Sequence, residues 1–173
     1  TPSRSSAASD VYKRQEMAHA AGISCEGEIG FVGYSGGEDS NGTDPAEAAK
    51  FARDSGVDAM AISVGNVHLQ QDKEGGLDLA RISEIEAMTS IPLVIHGGSG
   101  VPVAQRTLLA TQTSICKFNI GTELRLAFGA ALRLAVASDP DRFDRVQILV
   151  DTVNPVQVAA QRVLSAFGAP AQR

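Results

Sequence analysis

Between residues 23 and 137, short apolar runs and helix-spaced segments alternate four times, and few architectures accommodate that order. "ISCEGEIG" (23–30), "VDAMAISVGN" (57–66), "IPLVIHGG" (91–98) and "SICKFNIGT" (114–122) have the length and residue types of strands. "TDPAEAAKFARDSG" (43–56) opens a helix on Asp44 as cap, with Pro45 in the first turn, Glu47 completing a capping box and Gly56 placed to end it. "LDLARISEIEAMTS" (77–90) spaces Leu79, Ile82 and Ile85 on one helical face, leaves Glu84 and Glu86 largely off it, and is stopped by Pro92. "VAQRTLLATQ" (103–112), "ELRLAFGAALRLAVA" (123–137) and "NPVQVAAQRVLSAFG" (154–168) supply the remaining helices. Strands that are apolar throughout and alternate with helices are parallel and covered on both faces.

The chain has 173 residues, enough for one domain with a sizeable core, and its 43% hydrophobic and 20% charged content is that of an ordinary globular protein. A net charge of −5 argues against a nucleic-acid partner, which needs a basic stripe. It leaves room for a phosphorylated metabolite, which needs only a local cluster of donors. No apolar run approaches the roughly 20 residues that cross a bilayer, so no membrane partner is expected. Cys25 and Cys116 lie in strand-like stretches outside any C-x-x-C motif and read as reduced core thiols of a cytoplasmic protein. Residues 1–15, "TPSRSSAASDVYKRQ", have no hydrophobic period and no signal-peptide core. They are read as a disordered or non-native segment, leaving 16–173 as the domain.

Four βα units fit either an open doubly wound sheet or part of a (β/α)₈ barrel. Glu28, His68, His96 and Asn119 fall at or just beyond the C-terminal ends of successive strands, the rim on which barrels build their sites. A whole barrel takes about 250 residues, so this chain corresponds to about half of one. Two histidines on adjacent strand ends, with a glutamate from the strand before, are donors that a catalytic zinc accepts while keeping a position open. Either histidine alone is a weak signal; His19 is read as a surface residue. "GGSG" (97–100) lets backbone approach a ligand and offers the Ser99 hydroxyl, and "NIGTE" (119–123) places Asn119, Gly121 and Thr122 where a strand enters a helix. Free N–H groups and the dipole there favour an anion, and two such turns on neighbouring strands form the common phosphate site of a barrel.

"EGEIG", "TDPAEAAKFARDSGVDAMAISVGNVH", "IPLVIHGGSGVP" and "KFNIGTELRLAF" together resemble the class II, zinc-dependent fructose-bisphosphate aldolases and their tagatose-bisphosphate relatives, over roughly residues 20–137. The resemblance implies a (β/α)₈ barrel of which this chain holds the last four βα units and extra C-terminal helices. It implies a zinc ion, or another divalent metal, held by His68, His96 and Glu28. It further implies a ketose phosphate bound by Gly97, Gly98, Ser99, Asn119, Gly121 and Thr122, with Arg125 near a second phosphate. Lys117 stands where the family often has a lysine. The implied reaction is aldol cleavage or condensation in central sugar metabolism, giving dihydroxyacetone phosphate and an aldehyde, by a cytoplasmic enzyme that is a homo-oligomer at full length. Glu38, in the Gly-rich loop "GYSGGEDSNG" (33–42), is the candidate base.

Two departures stand against the family pattern. Leu69 follows His68 where the family usually has glycine, so the sugar substrate is left open. The family's first four βα units, with a further zinc histidine and a catalytic aspartate, have no counterpart here, which makes a fragment inactive in isolation the favoured reading. The alternatives are a non-catalytic phosphate-binding or oligomerising half-barrel, and a phosphosugar isomerase or epimerase on the same rim.

Overall fold

The computed structural model describes residues 13–32, 42–66 and 76–168. Four strands, β1 (Glu26–Ile29), β2 (Ala59–Ile62), β3 (Leu93–Ile95) and β4 (Ile115–Phe118), form one sheet in that order, every pair parallel. A helix whose described residues are 13–20 (α1) precedes β1. Then α2 (Pro45–Ser55), α3 (Leu79–Met88), α4 (Val103–Gln112) and α5 (Thr122–Ser138) follow successive strands, and α6 (Arg145–Ala166) comes last. The strand order runs without the reversal that marks the switch point of a doubly wound sheet.

Asp44 and Gly56 bound α2 as expected. Asp44 Oδ1 accepts the N–H groups of Ala46 and Glu47, both at 2.9 Å, and Gly56 ends α2 in the left-handed region at φ 67°. Asp58, just beyond, accepts the Cys25 N–H at 2.7 Å and meets His19 Nε2 at 2.8 Å. That backbone N–H, followed by the His19 ring, holds the Asp58 carboxyl below its ordinary pKa. Residues 13–15 lie in α1, and Gln15 is buried.

Strand alternation separates two faces. A Cβ at Gly27 would lie 2.8 Å from the Phe51 ring of α2, so that face of β1 packs on helix and Glu26 and Glu28 point the other way. The register carries the division across the sheet: Glu28 pairs with Ala61, Ala61 with Val94, and Val94 with Lys117. On the helix side, Met60, Ile62, Leu93, Ile95 and Ile115 pack with Ala48, Ile82, Ile85 and Leu109 into one core. The end of α6 closes this side at β4, where Phe167 stacks on Phe118 with ring centroids 4.8 Å apart and Thr107 Oγ1 donates to the Ala166 carbonyl at 2.8 Å.

Several expectations are corrected. Strands of three or four residues replace the longer runs, because the polar ends of those runs leave the sheet as loops. Leu79, grouped with Ile82 and Ile85 on one helical face, is exposed, since of the three only Ile82 and Ile85 reach the core. Cys116 is exposed rather than a core thiol, lying on the last strand of the sheet with its Sγ 3.4 Å from the Leu93 carbonyl. Cys25 is half-buried, and both thiols are free. The final helix starts at Arg145, where Asp144 Oδ1 accepts the Val146 N–H at 2.8 Å, and it runs through Pro155 instead of beginning there.

Candidate functional site

Glu26 and Glu28 leave β1 two residues apart and share the face opposite the helices. Glu26 Oε1 lies 2.9 Å from His96 Nε2, and its Oε2 accepts from Lys117 Nζ at 2.6 Å. Glu28 Oε2 stands 3.7 Å from His96 Nδ1. The imidazole is thus flanked by a carboxylate at each ring nitrogen. Burial pushes the Glu26 carboxyl pKa up, but the hydrogen bonds and charges of Lys117 and His96 outweigh it and hold the group below its usual value. Asn66, 1% exposed, fixes the strand end that carries the ring. Its Nδ2 donates to the His96 carbonyl at 2.9 Å and to the Ile62 carbonyl at 3.2 Å, and its Oδ1 accepts the Val64 N–H at 2.7 Å.

The second cluster joins the two turns expected to meet. Gly98 N–H donates to the Asn119 carbonyl at 3.1 Å, and Asn119 N–H to the Ile95 carbonyl at 2.8 Å. Their approach is close: a Cβ on Gly98 would come within 2.9 Å of Ile120 Cδ1. Ser99 is buried, and its Oγ accepts the N–H groups of Gly121, Thr122 and Glu123 at 3.2, 3.0 and 3.4 Å. Those are the amides at the start of α5, where exposed N–H groups and the helix dipole favour an electron-rich oxygen. Gly97 enters the turn in the left-handed region, at φ 63°. Arg125 Nη2 donates to Thr122 Oγ1 at 3.1 Å, so its guanidinium lies over the same turn.

The structure therefore brings His96 to Glu28, and Gly98, Ser99, Asn119, Gly121, Thr122 and Arg125 to one another, at one end of the parallel sheet. His68, Leu69 and Glu38 lie outside the described residues. Among the described residues no group of three or more His, Cys, Asp or Glu side chains could hold a metal ion. The His96–Glu28 pair offers the imidazole nitrogen and carboxylate oxygen that fit a zinc shell in part. Sequence reasoning passed over Glu26, Asn66 and Arg106. The E-G-E pattern puts both glutamates on one face without saying which meets His96. Asn66 and Arg106 become distinctive only through burial, which a loop asparagine and a helix arginine do not announce.

These parallel strands, with helices after each and polar residues gathered at one end, define an α/β fold. The chain belongs to the class II fructose-bisphosphate aldolase family, whose model matches residues 9–172. A fructose-bisphosphate aldolase of Geobacillus stearothermophilus is 34% identical over 165 residues, covering 91% of this chain and 57% of the relative. Among solved structures, the YdjI aldolase of Escherichia coli K12 superposes with a TM-score of 0.71 at 27% identity, over 94% of this chain and 56% of that one. A fructose-bisphosphate aldolase of Campylobacter jejuni shares the fold, with a TM-score of 0.66 at 20% identity, over 96% of this chain and 57% of the other. The chain spans little more than half the length of each.

Proposed function

We propose that this chain is the C-terminal half of an aldolase-type (β/α)₈ barrel, residues 16–173, and that the full-length protein cleaves and forms a ketose bisphosphate, with dihydroxyacetone phosphate and an aldehyde as the other partners. The observation that supports this most is the placing of the His96–Glu28 pair and the Ser99–Thr122 turn pair at the same end of a parallel sheet. One end of the donor substrate carries phosphate and the other the reacting carbonyl, so a phosphate cradle beside metal-type donors matches its layout.

His68, His96 and Glu28 would hold a zinc ion, which when bound supplies Lewis acidity toward the substrate's carbonyl and hydroxyl oxygens. Gly97, Gly98, Ser99, Asn119, Gly121 and Thr122 bind and orient the phosphate, with Arg125 as a neighbouring cation. Glu38 takes the proton from the donor carbon. We place the enzyme in the cytoplasm as a homo-oligomer at full length; among the described residues no helix is long and apolar enough to cross a membrane.

The test uses the full-length protein, obtained from the reading frame upstream of this segment. Zinc content and aldol cleavage of fructose and tagatose bisphosphates are measured for wild type, His96→Ala and Glu28→Ala. Loss of both zinc and cleavage in the variants supports the reading. Zinc retained by the wild type without any lyase activity would favour a non-catalytic phosphate-binding half-barrel instead.

A further inference from the structure

Arg106, on α4, is 1% exposed and is the largest fully buried side chain described. Its Nη2 donates to the Ser99 carbonyl at 2.7 Å and pairs with the Glu123 carboxylate, while Nε has no hydrogen-bond partner. A buried ion pair is a poor way to gain stability, because desolvation offsets the attraction and apolar replacements are often as good. An incompletely satisfied guanidinium is poorer still. Its location gives the reason for keeping it. Ser99 is held at two points, its carbonyl by Arg106 and its hydroxyl by the amides of Gly121, Thr122 and Glu123.

Glu123 belongs to the first turn of α5, the same turn whose amides face the Ser99 hydroxyl. A carboxylate there suits the helix dipole but repels any anion approaching the same N-terminus. The Arg106 guanidinium neutralises that carboxylate from the protein side, so the turn that faces the Ser99 hydroxyl presents no net negative charge to an incoming anion. We infer that Arg106 is a positioning residue for the anion cradle, fixing Ser99 through its carbonyl and cancelling the charge of Glu123. The inference rests on the reading of this turn pair as a phosphate site, and its ligand class is a phosphomonoester or inorganic phosphate.

The experiment is an NMR titration of the full-length protein with inorganic phosphate, following the Gly121, Thr122 and Glu123 amides, with amide exchange recorded on the same samples. Arg106→Met is expected to weaken phosphate roughly tenfold, since it removes a positive charge from beside the Glu123 carboxylate in the first turn. Arg106→Met with Glu123→Gln is expected to recover to within about threefold of wild type, because the charge is gone from both sides. A merely structural role gives no such rescue, so equal weakening in the single and double variants overturns the inference. Should Arg106→Met fail to fold, Arg106→Lys decides. It keeps the charge but loses the planar fork, so phosphate affinity should hold while exchange at Gly121–Glu123 accelerates; unchanged exchange overturns the positioning role. Wild-type binding that Arg106→Met leaves intact removes the role of Arg106 alone. Absence of any phosphate response at the three amides of the wild type removes the cradle and the inference together.

Discussion

Glu26 on β1 and Lys117 on β4 meet at 2.6 Å, although β2 and β3 lie between them. On a flat sheet three strand spacings put their backbones about 14 Å apart. Two long side chains closing that gap require strands that curl toward the polar face, as a barrel segment does. Small side chains beneath the pair, Ala61 and Val94, leave the room for it.

The curl itself comes from strand twist and helix packing, so the ion pair follows the curvature more than it causes it. Lys117 is half exposed, and pairs of that kind contribute about 0–1 kcal/mol. Lys117→Met should therefore lower unfolding free energy in urea by less than about 1 kcal/mol, with the difference shrinking in high salt. A salt-independent loss well above that would make the pair a true closure of the sheet.

Asn66 should matter far more. Asn66→Ala removes one hydrogen bond each from the Val64 N–H and from the Ile62 and His96 carbonyls, all at a fully buried side chain. Unsatisfied buried groups cost about 1–3 kcal/mol each, so a destabilisation of about 2–4 kcal/mol is expected after relaxation and water entry. Chemical denaturation measures it, and a loss below about 1 kcal/mol would mean that water replaces the amide readily.

What could be read from the sequence was local chemistry. Asp44, Pro45 and Gly56 specify α2 within their own segment, and α2 appears between them. Pro155 misled for the same reason: proline is favoured in a first turn, yet here tertiary packing carries α6 across it from Arg145. The rim positions of His96 and Asn119 followed from strand ends. The partners did not, because choosing Glu26 over Glu28 for the close contact with His96 depends on curvature across three strands. Ser99 shows a subtler limit: its place was legible, but its acceptance of three α5 amides depends on two turns meeting.

That meeting is sterically tight at Gly98. A Cβ there would lie 2.9 Å from Ile120 Cδ1, which can swing aside, and 3.3 Å from the Asn119 carbonyl oxygen, which is backbone. Gly98→Ala should cost about 1–3 kcal/mol, as overpacking does, read from urea unfolding. It should also speed amide exchange at Gly98, whose N–H bonds that same carbonyl. Unaltered stability would show that the NIGT turn yields freely.

Away from the site, Asp58 fastens the start of β1 to the start of β2 by accepting the Cys25 N–H, with the His19 ring on the same oxygen. The backbone N–H and the ring both favour the ionised carboxylate, so its folded pKa is lowered. A group whose folded pKa is depressed contributes stability that is complete above its unfolded pKa and is lost as pH falls through the folded one. Asp58→Ala should therefore lower Tm at neutral pH, and the gap to wild type should close progressively as acid takes the carboxyl below its ordinary range. Thermal melts of both proteins across a series from neutral to strongly acidic pH measure this. A gap that stays constant into acid would mean that Asp58 acts without its charge, through the shape of the turn alone.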